Sequence, residues 1–235
     1  MLAKPSLLAL LFATGTACTT TESDNILTRG MFASISATAD GSGDTRVSAS
    51  LFLGQPSDLI FIDLVGGDRL IARHDGQSKV MSELIILNIV SHTATFPVDD
   101  EDARFEVEFR REVDAGAPSS SVTLPAPFTL GTVPPSVSRG AAFGVNWTGT
   151  SGDLMRWSAD GACIEVVSGS ISPGTDSVTM PIGTFRKRAG QNIPDSCEVE
   201  VTIERAREGE VDRAFGEGGT ATGVQTRSVT FTSMP

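Results

Sequence analysis

The stretch Cys197-Glu-Val-Glu-Val-Thr-Ile-Glu204 alternates strictly between two kinds of side chain. Cysteine and aliphatic residues occupy one set of positions, and acidic or hydroxyl residues occupy the other. Successive side chains of a β-strand point to opposite faces of a sheet, so a period of two indicates a strand with one buried face. We therefore predict that the first set faces a core and that the glutamates face water.

The same alternation recurs along most of the chain. Residues 31–38 and 47–53 both alternate, and the turn Asp40-Gly-Ser-Gly-Asp44 between them predicts a β-hairpin. Residues 83–90 are nearly all apolar, a pattern that fits either a central buried strand or one short helix. No stretch of ten or more residues has a convincing amphipathic helical pattern, so the predicted class is all-β.

Small and turn-forming residues interrupt the strands in Asp114-Ala-Gly-Ala-Pro-Ser-Ser-Ser121. This composition is typical of a linker. About seven short strands on each side of it suit two antiparallel β-sandwich domains in series. The predicted boundaries are residues 29–113 for the first sandwich, 114–124 for the linker and 125–235 for the second sandwich.

The balance of charge limits the partners that the chain can have. Its formal net charge is −11 at pH 7. A surface of this sign repels phosphate backbones, so nucleic acid is excluded as an expected partner. It also disfavours electrostatic adhesion to anionic lipid.

The first 17 residues have the order of a secretory signal peptide. Lys4 supplies one positive charge, Leu7-Leu-Ala-Leu-Leu-Phe-Ala13 is an apolar run, and the small residues Thr14-Gly-Thr-Ala17 precede Cys18. This order predicts cleavage on export. The apolar run is far shorter than the roughly 20 residues of a membrane-spanning helix.

The ending Gly15-Thr-Ala-Cys18 resembles the lipobox of bacterial lipoproteins, with Gly15 where the usual pattern has Leu. The resemblance implies that residues 1–17 are removed and that Cys18 is acylated. Thr19 stands where Asp would imply inner-membrane retention, so the resemblance implies an outer-membrane anchor, on the periplasmic or the surface face. An ordinary cleaved signal with an incidental cysteine is the alternative. The polar residues up to 28 are predicted to form a flexible tether.

Trp147, followed by Cys163 and Cys197, resembles the tryptophan and cysteine pair of immunoglobulin-like domains. The whole chain is similar to bacterial envelope lipoproteins with immunoglobulin-like β-sandwich domains, a resemblance that implies architecture and anchor but no catalytic motif. If Cys18 is acylated, two cysteines remain. The oxidising envelope then favours a disulfide between them, with two buried free thiols as the alternative.

Groups that could carry chemistry are few. His74 and His92 are predicted to be a turn-flanking and a strand-end residue, and the motifs H-E-x-x-H, C-x-x-C and G-x-S-x-G are absent. The acidic turns at residues 40–44 and 99–102 could bind calcium, but solvated hairpin turns are the favoured interpretation. We predict no catalytic, cofactor-binding or metal site.

The sequence thus predicts a non-enzymatic module that is anchored to the outer membrane through lipid on Cys18. Its expected role is structural or involves an envelope protein partner. The alternative is a loop-built ligand-binding module or a carboxylate-dependent hydrolase, since paired carboxylates can hydrolyse glycosides. The candidate acids for that alternative are Glu106, Glu108, Glu198, Glu200 and Glu204.

Overall fold

The computed structural model describes residues 19–58 and 60–235 of the chain. The predicted signal peptide and Cys18 lie outside the described residues. Within those ranges the helical elements are three short 3-10 turns, at Ser23–Asn25, Thr28–Gly30 and Pro56–Asp58, and all other regular elements are strands. The all-β prediction is confirmed. No helix in the described ranges has the length and apolar character to cross a bilayer.

The first sandwich is built from ten strands of the N-terminal half, together with part of the C-terminal strand. Alternate residues of its strands are buried, as the period of two predicts, and the sheet β10-β9-β5-β6 covers one side of its core. The ten strands are β1 (Thr19–Glu22), β2 (Met31–Ala39), β3 (Thr45–Leu53), β4 (Ile60–Asp63), β5 (Arg69–His74), β6 (Gln77–Val80), β7 (Ser82–Ile86), β8 (Ile89–Phe96), β9 (Arg104–Arg110) and β10 (Ala117–Thr123).

The second sandwich follows an immunoglobulin-like strand order. Strands β15-β14-β17-β18 lie in one sheet and β11-β13-β16 in the other, which corresponds to C′-C-F-G facing A-B-E. The strands are β11 (Thr129–Leu130), β12 (Ser136–Ser138), β13 (Phe143–Thr148), β14 (Leu154–Gly161), β15 (Val167–Ile171), β16 (Ser177–Met180), β17 (Cys197–Glu208) and β18 (Gly219–Met234). The predicted sandwich architecture is present here.

The two sandwiches share one continuous sheet, with the order β1-β4-β3-β2-β18-β17-β14-β15. Residues 219–225 of β18 pair in parallel with β2, and the later part of β18 pairs with β17 and β12. At Gly223, a Cβ would lie 2.0 Å from the carbonyl oxygen of Thr123, so only glycine lets β18 pass this close to the end of β10. The C-terminal strand therefore completes both sandwiches.

The structure replaces the predicted linker by a strand. Residues 117–123 form β10, which pairs with β9, and Ser120 and Val122 are fully buried. Residues 211–225, assigned by sequence to the second sandwich, contribute Phe215 and Ala221 to the first core. The small residues resemble a linker in composition, but they are the residues that a closely packed strand can accommodate.

The predicted tether is also part of the fold. β1 pairs in parallel with β4, with Thr19 opposite Ile60. Beyond β1, the guanidinium of Arg111 donates to the carbonyl oxygens of Ser23 (2.5 Å) and Ile26 (2.8 Å). Polar residues can be held this way because their backbone groups find partners, which composition alone does not reveal.

The predicted disulfide is confirmed. Cys163 and Cys197 are bonded, with their Cα atoms 5.6 Å apart and 34 residues apart in sequence. Cys163 is fully buried, in the loop after β14. The bond therefore links that loop to the start of β17.

We expect the double variant Cys163→Ala/Cys197→Ala to unfold at lower urea concentration. In the chain-entropy model a closed loop of this length stabilises the fold by about 4 kcal/mol, because it restricts the unfolded chain. Urea unfolding of the oxidised wild type and of the variant measures the difference. The reduced wild type should unfold at the same urea concentration as the variant. Equal midpoints for oxidised and reduced wild type would contradict this prediction.

Candidate functional site

The main exposed apolar surface in the described ranges is the hairpin of β7 and β8. All five residues of β7 are exposed, so neither face of that strand is covered by the sandwich. We call residues 84–89 the apolar tip. Its apolar members expose large fractions of their surface: Leu84 50%, Ile85 50%, Ile86 57%, Leu87 87% and Ile89 45%.

This hairpin differs from both alternatives drawn from the sequence. Residues 83–90 are neither a buried strand nor a helix, because the chain reverses at Leu87 and Asn88. Leu-Asn is not among the dipeptides that favour a hairpin turn, so the apolar run did not predict one. Asn88, the only polar residue between Leu84 and Val90, was the single indication of a turn.

The conformation of the turn is costly for its first residue. Leu87 has φ 50° and Asn88 has φ 64°, the left-handed pair that a type I′ turn requires. Asparagine tolerates this region, whereas for leucine it costs on the order of 1–2 kcal/mol. Leu87 is thus unfavourable for folding in two ways, by its exposure and by its backbone.

The base of the hairpin is firmly attached to the sheet. β8 pairs with β3 up to His92, opposite Ala49. One step further, Ser50 Oγ donates to the carbonyl oxygen of Val90 (2.9 Å), and Val90 packs in a small core with Phe52. The hairpin is therefore held as far as Val90, and the apolar side chains beyond it are exposed.

Three ionisable groups meet at this base: Glu83, His92 and Asp63. Burial lowers the pKa of His92, which lies in the middle of β8 with its Nε2 3.6 Å from Glu83 Oε2. Burial, and then the charge and hydrogen bond of Asp63, raise the pKa of Glu83. His92 is thus a buried residue in the middle of β8, and not the strand-end residue expected from sequence.

The N-terminal end of the described chain lies at the same end of the sandwich as the apolar tip. β8 runs antiparallel to β3, so its turn lies toward the Leu53 end of β3. β4 is also antiparallel to β3, with Phe61 opposite Phe52, which puts Ile60 at that end. Thr19 pairs with Ile60. The chain therefore enters the fold beside the projecting hairpin.

The other sequence-derived candidates occupy structural positions. His74 Nδ1 lies 2.9 Å from the carbonyl oxygen of Arg104, and its ring packs 4.8 Å from that of Phe105. In the acidic turn at residues 99–102, Asp102 pairs with Arg207 (2.6 Å). In the described ranges, no group of three or more His, Cys, Asp or Glu residues is arranged to hold a metal ion.

The candidate glutamates are distributed over both sandwiches. Glu108 binds Arg73 and Arg110, and chiefly the hydrogen bond from Arg110 lowers its pKa. Glu204 pairs with Arg156 across β14 and β17. Glu106 lies in β9, and Glu198 and Glu200 lie in β17. Glu198 and Glu200 line one open surface pocket with Asp160, but the structure does not bring the five candidate acids together at one site.

Two arginines of β17 lie near the junction of the sandwiches, and one of them, Arg207, bridges the two. Arg205, fully buried, donates to the carbonyl oxygens of Ala126 (2.8 Å) and Gly149. Arg207 bridges Asp102 of the first sandwich and Asp153 of the second. Burial alone would raise the pKa of Asp153, but hydrogen bonds from Arg207 and Ser151 keep it below its usual value. The junction is therefore fixed by direct contacts.

The fold and this surface define an all-β, two-sandwich protein with a projecting apolar hairpin. No protein-family model matches the chain, and no curated protein matches it. Among solved structures, DIP-gamma IG1+IG2 has a TM-score of 0.21 and 8% identity, covering 89% of this chain and 100% of that one.

Two bacterial proteins give similar values. The adhesin InvE of Yersinia pseudotuberculosis has a TM-score of 0.22 and 12% identity, and elastase-activated alpha-2-macroglobulin of Escherichia coli has 0.23 and 13%. The matches cover 85% and 87% of this chain, which spans 58% of the adhesin and 22% of the macroglobulin. TM-scores of this size carry no weight for fold or function, so the architecture rests on the strand pairing itself.

Proposed function

We propose that this protein is a lipid-anchored, non-enzymatic β-sandwich module of the bacterial cell envelope that acts by contact. The observation that carries the proposal is the lipobox-like sequence that ends at Cys18, followed by residues 19–22, which are paired with β4. Acyl chains on Cys18 would be attached at the edge of a folded sheet. Two or three such chains provide stable anchoring without a spanning helix. Thr19 in place of Asp favours the outer membrane.

A role in contact rather than catalysis is supported by the interactions of the potentially reactive side chains. His74, His92, Glu108 and Asp102 are each engaged in packing or ion pairs of the fold. The shared sheet adds a rigid connection between the sandwiches. With its 16 residues, β18 alone extends about 53 Å at the usual rise per residue. Such a unit suits a structural element or a protein-interaction platform that projects from a membrane.

The variant Cys18→Ala is expected to lose membrane retention. Without the thiol no diacylglycerol can be attached, so the chain should move from the membrane to the soluble fraction. Fractionation and intact-mass measurement of the full chain check this result, with Thr19→Ser as the control that should behave as wild type. A free Cys18 thiol in the wild type, or cleavage elsewhere, would show that the chain is not a lipoprotein.

The non-enzymatic part of the proposal has its own test. The purified protein should give no turnover of glycan or ester substrates above background. Hydrolysis that disappears on Glu83→Gln, or on replacement of another single carboxylate, would establish the hydrolase alternative instead.

A further inference from the structure

We propose that the apolar tip inserts into the lipid surface that carries the anchor and thereby sets the orientation of the first sandwich on the membrane. This inference rests on the proposed function, because acylation of Cys18 is what brings a bilayer to this end of the molecule. The occupant of the apolar tip is thus a lipid surface.

The first support is position. From Ala49 to Leu53 of β3, and from His92 to Asn88 of the hairpin, the chain advances four residues, about 13 Å in each case. The strand directions therefore place both the turn and the Thr19 end of β1 toward the level of Leu53 in β3. Consecutive Cα atoms are 3.8 Å apart, so an acylated Cys18 cannot be far from that level. With β1 paired to β4, no loose segment separates the anchor from the sandwich.

The second support is chemistry. Residues 84–91 contain no charged side chain, although the chain as a whole has a net charge of −11. The acyl-chain boundary accepts aliphatic side chains without requiring a complementary shape. Leu87, the most exposed residue of the tip, keeps an unfavourable backbone where asparagine or glycine would relieve it. A residue that is costly for folding at an exposed apex fits a role in contact.

Polar groups limit how deep the hairpin can go. Unpaired backbone groups at its edges are costly in hydrocarbon, which restricts insertion to the boundary region, about 5–10 Å deep. Glu83 lies at the base, four residues before Leu87 on β7, and Asp63 of β4 lies beside it. Their carboxyl groups would remain in the headgroup layer, and they favour zwitterionic over anionic lipid.

Tryptophan reporters in the acylated full-length protein test this inference. Leu87→Trp puts a fluorophore at the apex, and Ile182→Trp puts one at a site of the second sandwich that is 70% exposed. Both are reconstituted into phosphatidylcholine vesicles with brominated acyl chains, which quench tryptophan within the bilayer. The native Trp147 and Trp157 are buried at 5% and 8% exposure and give the common background. We expect quenching for Leu87→Trp and none above background for Ile182→Trp.

The outcomes separate the inference from the function on which it rests. Intact mass establishes acylation first, and urea midpoints establish that both variants are folded. An acylated, membrane-bound Leu87→Trp protein without quenching overturns the inference and leaves the proposed function standing. An unacylated wild type overturns both.

Two further measurements test whether lipid is what covers the apolar tip. Shielding of the Leu87→Trp fluorophore from iodide in the absence of lipid, increasing with protein concentration, would mean that a second copy covers the tip, and would overturn the inference. The Cys18→Ala chain, although soluble on fractionation, should still bind an excess of phosphatidylcholine vesicles weakly, and replacing both Ile86 and Leu87 by Ser should reduce that weak binding about tenfold or more, because two large apolar side chains are lost. Unchanged binding would also count against lipid contact.

Discussion

A chain that ends at residue 124 is expected to remain unfolded, whereas residues 122–235 are expected to fold alone as an oxidised domain. The first core requires Phe215 and Ala221, and seven residues of β2 lose their partner strand without β18. The second core, in contrast, draws only on residues 128–231. Circular dichroism and urea unfolding of both fragments, beside residues 19–235, measure the difference.

A fusion of residues 19–124 to residues 209–225 through a flexible glycine-serine linker provides the matched control. It restores the missing strand and should recover cooperative unfolding. A cooperative transition in the short fragment without that addition would show that the first sandwich does not depend on the C-terminal strand. Free thiols at Cys163 and Cys197 in the second fragment would show that it has not reached its native state.

The variant Arg111→Met should lose about 3–5 kcal/mol of unfolding free energy, the usual cost of removing one member of a buried ion pair. Arg111 Nε donates to Asp68 Oδ2 (2.9 Å), and the two side chains are 0% and 1% exposed. Removing the guanidinium leaves a buried carboxylate without its cation. It also releases the carbonyl oxygens of Ser23 and Ile26. Urea unfolding at neutral pH measures the loss.

Arg104→Met is the control, because Arg104 is 60% exposed and lies 3.7 Å from Glu106. Exposed pairs contribute about 1 kcal/mol or less, so its midpoint should hardly move. Adding Asp68→Asn to Arg111→Met should recover part of the loss by removing the unpaired charge. Equal midpoint shifts for the two arginine variants would mean that the buried pair does not stabilise the fold.

The fold class could be predicted because it depends on local periodicity. The alternation in residues 197–204 survives in β17, where Val199, Val201 and Ile203 are fully buried. The disulfide followed from the parity of the cysteines. Trp147 and Trp157, which alternate with polar neighbours, are likewise buried in the second core. Each of these inferences uses a short segment or a count, so distant pairing does not affect it.

Most predictions that differ from the structure concern pairing between distant segments, and one, at residues 83–90, concerns a local turn. Residues 117–123 have the composition of a linker, yet β9 and the segment near Glu210 provide hydrogen-bond partners for them. Residues 19–22 become a strand because β4 offers an edge. The apolar run at residues 83–90 resembles a core strand, but exposure depends on what the rest of the fold places beside it. A single sequence carries no direct signal for such contacts.

The passage of β18 through both sandwiches has a consequence for the order of folding. Polypeptides emerge from a ribosome or a translocation pore with the N-terminus first, and domains usually fold as they appear. Here the first half of the chain must wait for residues 211–225, which emerge only after most of the second sandwich. Until then the edge of β2 and its apolar face remain open to other chains, a state prone to aggregation. The protein would therefore depend on a holding chaperone during this interval.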